Sequence, residues 1–320
     1  MYYQLQSVTT FVPLYTRIIE VTYIGKSQIF PNEKILPFYQ PSFEMFLLKT
    51  MSMKLTLLSI TIFLGTISFA QKLKASLQVP QLITKKQYQQ LFPYHDILYN
   101  YEHFITASKA FPLFATEGTP LQNQRELIAF FANIAHETTN GWSGAKGGPY
   151  VWGLVFKEEQ GCLNKPCPVY NTGGSSKYQA VDGKNYFGRG PMQISYAYNY
   201  GLAGDDLQLP LLQQPELVCE NGVIAFKTAL WFWMKTQKPK PSCHEIMCGK
   251  WLPNATDSMQ KRLPGFGMTN LIINGGLECN TTDKDFIANR NERIGFYKWF
   301  AKMLHISVET DCDCKEMSVY

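Results

Sequence analysis

Residues 119–140 read TPLQNQRELIAFFANIAHETTN, and this stretch decides the fold class. Thr119 is a good N-cap by type, Pro120 suits the first helical position because its missing N–H has no partner to lose there, and Gln122 completes a capping box. Leu127, Phe130, Phe131 and Ile134 then recur at helical spacing, so one face of this helix is core. The pattern runs out at His136-Glu137, ahead of Asn140-Gly141. A second segment, GVIAFKTALWFWM from Gly222 to Met234, is apolar nearly all round, which predicts a central buried helix closed off by Pro239 and Pro241, with Trp231 and Trp233 in the core. Between the two lie long Gly-, Tyr- and Asn-rich stretches, from Gly141 to Tyr186 and from Tyr196 to Gly204. Loops of that length inside a compact domain are usually functional. No repeat or low-complexity linker interrupts the chain after Gln71, so 71–320 reads as one domain of mainly α pattern.

With 320 residues, 45% of them hydrophobic and 17% charged, the chain has the composition of an ordinary globular protein. The net charge of +5 is mild, and its Lys and Arg are scattered with no basic stripe, so nucleic acid is not an expected partner. Upstream, Met53-Lys54 precedes the uncharged apolar run LTLLSITIFLGTISFA, which ends in small residues at Ser68 and Ala70. That is the pattern of a signal peptide over 53–70, cleaved after Ala70. The run falls short of the ~20 residues of a spanning helix, so no stable membrane insertion is expected. Residues 1–52 carry no motif, and either Met51 or Met53 suits as the true start. All eight cysteines lie from Cys162 to Cys314, and an even count in a secreted chain implies disulfides; Cys162 and Cys167 are close enough to close a small surface loop. A zinc site at Cys312-Asp313-Cys314 lacks a second ligand pair. The sequons at Asn254 and Asn280 also fit export, with little weight.

Two carboxyl groups on opposite sides of a scissile bond, one protonated and one ionised, are the usual equipment for glycoside hydrolysis. Glu137 is placed to be the protonated one, because it ends an apolar helix and Trp142 follows, and an apolar setting favours the uncharged form that an acid catalyst needs. By position alone it is equally a helix-terminal residue pointing into water. HETTN is not a zinc-protease motif, since Asn140 stands where a second His is required, and His136 reads as a positioned core histidine. For the second carboxyl, Glu158 and Glu159 in FKEEQG are indistinguishable by chemistry.

The blocks FFANIAHETTNGW (130–142), VWGLVFKEEQG (151–161), NYFGRGPMQISYAYNYG (185–201), IAFKTALWFWM (224–234) and LPGFGMTNLIINGGLEC (263–279) resemble successive blocks of family 19 chitinases, in the family's order. YNYEHFITASKAFPLFATEG (99–118) is similar to the family's first helices, and the resemblance runs from about Thr84 to Cys312. It implies a mainly α, two-lobed lysozyme-like domain with a long substrate cleft. It also implies endo-acting, inverting hydrolysis of β-1,4-linked N-acetylglucosamine polymers without cofactor or metal. Glu137 falls on the family's acid and Glu159 on its base, leaving Glu158 an ordinary neighbour. Ser195 matches a residue that helps hold the attacking water. Gln193, Tyr198, Asn199 and Asn274 match positions that bind or line the sugar sites, Lys240 a basic residue of the cleft, and Tyr186 a cleft aromatic. Glu278 and Arg293 match a charged pair flanking the acid.

Some features depart from the family pattern. Tyr178 stands where many plant members carry a Trp in a disulfide-closed loop, and the segment between Glu159 and FGRG is longer, with Cys162 and Cys167 in the extra part. Only a link from Cys279 to Cys312 or Cys314 follows from the resemblance. No cysteine-rich chitin-binding module is expected ahead of the domain, and a monomer is expected. Two other readings stand beside this one: a chitin-binding protein without catalysis, and a hydrolase of peptidoglycan. Gly188, Gly190, Gly275 and Gly276 read as backbone turns, Arg189 as a holder of loop carbonyls, and Asn199, on its own, equally as a plain turn residue.

Overall fold

The computed structural model describes residues 78–172 and 177–320. The extension at 1–52, the leader at 53–70 and any module ahead of the domain lie outside the described residues. Among the described residues there is no named strand, only isolated bridges at Glu158–Arg189, Arg189–Ile194 and Gln237–Lys240. The architecture is carried by helices α1 (Tyr101–Ser108), α2 (Pro120–Glu137), α3 (Ala197–Leu207), α4 (Gly222–Met234), α5 (Phe266–Glu278) and α6 (Lys284–Leu304), with shorter helical turns between them.

Helix α2 starts and stops where its sequence says. Thr119 accepts from the Gln122 N–H while the Gln122 side chain accepts from the Thr119 N–H, so two donors that the first turn leaves unpaired are satisfied reciprocally. From Leu127 to Ala135 every side chain but Asn133 is apolar, and all are buried, with Phe130, Phe131 and Ile134 at 0% exposure. A helix enclosed on all sides is apolar nearly all round. Its longest partner is α6, whose Asp283 N-cap accepts from two N–H groups of the first turn. Helix α4 packs along α1 and is capped by Asn221. Its first residue has to be glycine, because a Cβ at Gly222 would stand 2.1 Å from His103 Nδ1 and 2.3 Å from the Leu98 carbonyl. Trp231 and Trp233 lie in the core as expected, the latter with its ring edge on Phe130.

A buried charge network joins these helices behind the cleft. Glu126, at 0% exposure, accepts from Trp233 Nε1 at 3.1 Å and the Ala115 N–H at 3.2 Å, and lies 2.7 Å from His244 Nδ1. His244 Nε2 lies 2.9 Å from Glu117. Burial alone would push the imidazole down, but hydrogen bonds to Cys248 and to the two carboxylates outweigh it and hold His244 up at about 11, as an imidazolium.

Several expectations need correction. The stretch from Tyr196 to Gly204 is mostly α3 and not loop. Its Tyr and Asn mask the period because Ala197, Tyr200, Gly201, Ala203 and Gly204 form its buried side. Gly275 and Gly276 make no turn: they complete α5 just after Asn274, whose φ of −141° kinks the helix. Gly190 does turn the chain, at φ +74°. The even cysteine count does not translate into four bridges. Cys162–Cys167 and Cys279–Cys314 are bonded, whereas Cys219, Cys243, Cys248 and Cys312 remain buried thiols. Desolvation pushes the Cys219 and Cys312 thiols up to about 12, which suits inert core packing.

Candidate active site

The acid candidate hangs from the last turn of α2. Glu137 Oε1 accepts from Arg293 Nη2 at 2.5 Å, and its side chain keeps 19% of its exposure. Arg293 is buried at 1% and is more than a partner of Glu137. It donates from Nε and Nη2 to the two oxygens of Glu278, each at 2.8 Å, and from Nη1 to Asn133 Oδ1 at 3.2 Å. Glu278 has no exposure at all and also accepts from Asn274 Nδ2 at 2.8 Å. Burial would raise the Glu278 carboxyl, but the Arg293 charge and hydrogen bonds bring it below the ordinary range, so it is ionised and neutralises the guanidinium. The expected charged pair therefore flanks the acid, but as the wall behind it. At 0% and 1% exposure Glu278 and Arg293 are both buried, beneath the surface of the groove. His136, one residue before the acid, points to Glu292 at 2.6 Å.

The base candidate sits on a separate loop, where the two neighbouring glutamates take different partners. Glu158 turns back to Arg189, Nε to Oε1 at 3.0 Å, while Arg189 donates onward to the Asn185 carbonyl at 2.8 Å and to the Tyr200 hydroxyl. Glu158 is thus a strut of the loop, more than an ordinary neighbour. Glu159 points the other way. Its Oε2 accepts from the Gly188 N–H at 3.2 Å and its Oε1 from the Tyr170 hydroxyl at 2.9 Å. Burial, and then the hydrogen bond to Glu159, push the Tyr170 phenol up to about 12, so it remains a donor. A Cβ at Gly188 would come 2.8 Å from Gln193 Oε1 and 3.4 Å from Ser195 Oγ, so a side chain there would crowd the groove.

Glu137 and Glu159 line one cavity of about 510 Å³, together with Gln193, Ser195, Asn199 and Asn274. Ser195 lies between two residues in left-handed backbone, Gln193 at φ +47° and Tyr196 at φ +72°. Such conformations, unfavourable for these side chains, cluster at sites that need an exact aim. A second cavity of about 190 Å³ shares Asn199, Phe232 and Ile273 with the first and adds Lys240, so the groove continues past the reacting centre. Besides Glu278 and Arg293, two more expected residues line neither cavity. Tyr186 is wholly buried, its hydroxyl bonded to the Leu212 carbonyl at 2.6 Å, so it supports the cleft floor and is no cleft aromatic. Tyr198 packs its ring on Tyr178, which in turn lies against Gly201 and bonds Asp205.

Sequence reading missed Tyr170, Tyr196, Phe232, Ile273 and Leu277 as cleft residues. Phe232 and Ile273 carry no signal of their own, being apolar residues on apolar helices. Trp142, expected to shield the acid, is 59% exposed, and its indole neighbours Trp152, itself stacked on Tyr94 at 4.1 Å. For metals, Glu117, His244 and Cys248 bring one candidate ligand atom each within 4.8 Å of one another. In this arrangement His244 is engaged with two carboxylates and Lys250 is paired with Glu117, so the cluster reads as a charge network.

Residues 81–314 match the family profile of chitinase class I, glycosyl hydrolase family 19. The chain belongs to this family. Among curated relatives of this family 19 chain, an acidic endochitinase of Populus trichocarpa is 49% identical over 216 residues, covering 68% of this chain and 61% of its own length. A basic endochitinase of Vitis vinifera is 42% identical over 243 residues, 74% of this chain and 75% of its own. The chain thus spans less than two thirds of the poplar relative. Among solved structures, chitinase C from Streptomyces griseus superimposes with a TM-score of 0.58 at 31% identity, covering 73% of this chain and 80% of that one. A class IV chitinase from Zea mays gives 0.55 at 30% identity, with 73% and 98% covered. These likenesses bear out the mainly α, lysozyme-like fold expected for this family 19 chain. No helix among its described residues is long and apolar enough to cross a membrane.

Proposed function

We propose that this chain is a secreted, endo-acting chitinase that hydrolyses β-1,4 links between N-acetylglucosamine units with inversion at the anomeric carbon. The observation that carries the proposal is that Glu137 and Glu159, on separate elements, face one open groove with Ser195 between the loop turns. In an inverting mechanism the acid protonates the departing glycosidic oxygen while the base takes a proton from water on the opposite face, which needs a gap of ~6.5–9.5 Å.

The surroundings suit each role. Glu137 stands at the C-terminal end of an 18-residue helix and lines the groove from there. Glu278 neutralises Arg293 from behind, and the guanidinium donates to Glu137 Oε1 and so fixes the direction of the carboxyl group. Glu159 is held by two donors, the Tyr170 hydroxyl on Oε1 and the Gly188 N–H on Oε2, which fix its direction in the groove. Ser195 donates to the Gln193 carbonyl at 3.0 Å and keeps its oxygen available to a water. Asn274, Asn199, Gln193 and Lys240 supply amide and ammonium groups for hydroxyl and N-acetyl groups along the groove. The chemistry asks only for two carboxyl groups and water. The endochitinase and chitinase names of the relatives support the same substrate.

The deciding experiment is proton NMR of sugar ends freshly released from a chitin oligomer, run beside release from bacterial wall. Appearance of the α-anomer from chitin is the expected result. Release of the β-anomer, or turnover confined to the bacterial wall, refutes the proposal.

A further inference from the structure

The base is enclosed in a covalent and hydrogen-bonded ring that the known chemistry of the site does not require. Three residues after Glu159, the Cys162 N–H donates to the Glu159 carbonyl at 3.0 Å. Cys162 is bonded to Cys167. Three residues after Cys167, the Tyr170 N–H donates to the Cys167 carbonyl at 3.3 Å, and the Tyr170 hydroxyl returns to Glu159 Oε1 at 2.9 Å. The disulfide therefore folds the segment back on itself, so that a residue eleven positions on in sequence ends at the catalytic carboxylate. Outside the ring, Tyr170 packs edge-on against Tyr196 at 5.1 Å, and the next residue, Asn171, donates to the Lys184 carbonyl at 2.8 Å.

We infer that Tyr170 is a positioning residue for the general base, and that the Cys162–Cys167 bridge exists to deliver it. The inference rests on the proposed hydrolytic function. A carboxylate on an exposed loop turns freely about its last bond, and a base that turns aims its lone pairs at the water only part of the time. The Gly188 N–H holds Oε2 and the Tyr170 hydroxyl holds Oε1, so the plane of the carboxylate is fixed from both sides. A lone pair left free of these donors can then be aimed into the groove, towards the water beside Ser195. Four of the five residues from Leu163 to Cys167 are exposed, and Leu163 has 45% exposure, so the bridge buries little core of its own. What it holds in place is Tyr170.

The alternative role for an aromatic in a cleft is to stack on a sugar, and kinetics separates the two. Tyr170→Phe keeps the ring and its packing on Tyr196 and deletes only the donor. For a positioning residue, kcat on a chitin oligomer falls about tenfold or more, as for loss of a hydrogen bond to a charged group, with KM moving less than about twofold. Cys162→Ser/Cys167→Ser produces a loss of similar size. The triple variant is scarcely worse than Tyr170→Phe alone, because both changes remove one interaction. Leu163→Ala, which disturbs the same loop without touching the ring, leaves kcat unchanged. Near-normal kcat in Tyr170→Phe overturns the inference, as does a raised KM on its own. So does a triple variant whose loss equals the product of the separate losses, since the bridge then acts by another route. A wild-type chain without activity on chitin would be a different failure, of the function itself, and would take this inference with it.

Discussion

Replacing Glu278 with glutamine tests the wall behind the acid. The side chain is fully buried, and so is its partner Arg293, with two bonds of 2.8 Å between them. At an effective dielectric near 20, opposite charges 2.8 Å apart attract by about 6 kcal/mol, most of it offset by the desolvation both groups have already undergone. Breaking a buried pair from one side costs ~3–5 kcal/mol. Glutamine keeps an acceptor for one guanidinium N–H, so the low end applies, and at ~2–4 °C per kcal/mol for a chain of this size the melting temperature falls by about 6 °C or more. The sign with pH follows from the depressed Glu278 carboxyl. Its contribution is fully present above its unfolded value of about 4.5 and is lost as pH falls through the folded value below that. The gap in melting temperature between wild type and variant is therefore widest near neutrality and narrows in acid. Activity shifts as well. With Glu278 neutral, the guanidinium has only Glu137 to balance it, and the alkaline limb of the kcat profile is expected to move to lower pH. Calorimetry from pH 3 to 7 and a pH–rate profile on a chitin hexamer read both effects. An unchanged melting temperature together with an unmoved limb would refute the arrangement as an electrostatic unit.

Three further outcomes are expected. Glu137→Gln retains oligomer binding by calorimetry while hydrolysis drops by ~10²–10⁴ or more, the usual worth of a positioned acid; near-normal turnover would remove Glu137 from its role. His244→Gln lowers the melting temperature most below about pH 6.5, because a raised histidine contributes stability fully there and loses it as pH climbs towards about 11. Melts at pH 6 and pH 10 that show a constant difference would contradict the imidazolium. Gly190→Ala destabilises by ~1–2 kcal/mol for the left-handed backbone alone, with more from a Cβ that would stand 2.7 Å from Val218 Cγ1; denaturant unfolding reads it, and a loss below about 0.5 kcal/mol would argue against the turn as described.

The two principal helices were legible because their signals are local. A capping box opens α2, a nearly continuous apolar run makes up α4, and both helices begin and end where those signals place them. What stayed illegible depends on partners distant in sequence. Only the family resemblance separated Glu159 from Glu158, because the partner that draws Glu158 away, Arg189, lies thirty-one residues from it. Tyr186 matches a family aromatic, yet its hydroxyl finds the Leu212 carbonyl and the ring goes under. Cysteine parity says nothing of which thiols meet, and of the two partners left open for Cys279 it is Cys314 that bonds. Tyr170 gave no sign, since its meaning depends on a bridge that turns the chain back. Helix α6, with Lys, Arg, Asp and Glu along much of its length, hides a buried side formed by Arg290, Arg293, Phe296, Tyr297, Phe300 and Ala301.

The acid and the base are mounted on supports of unlike stiffness. Glu137 ends a helix enclosed by the core and is braced by the buried Arg293, so it is held by the most protected part of the fold. Glu159 rests on an irregular segment held by a few hydrogen bonds and one short bridge, the kind of region that opens at far lower cost than global unfolding. On gradual warming, turnover is therefore expected to fade while helical circular dichroism is still intact, and to return on cooling. For anyone seeking a hardier catalyst, the profitable changes lie around residues 157–190, and further tightening of the interior would yield little.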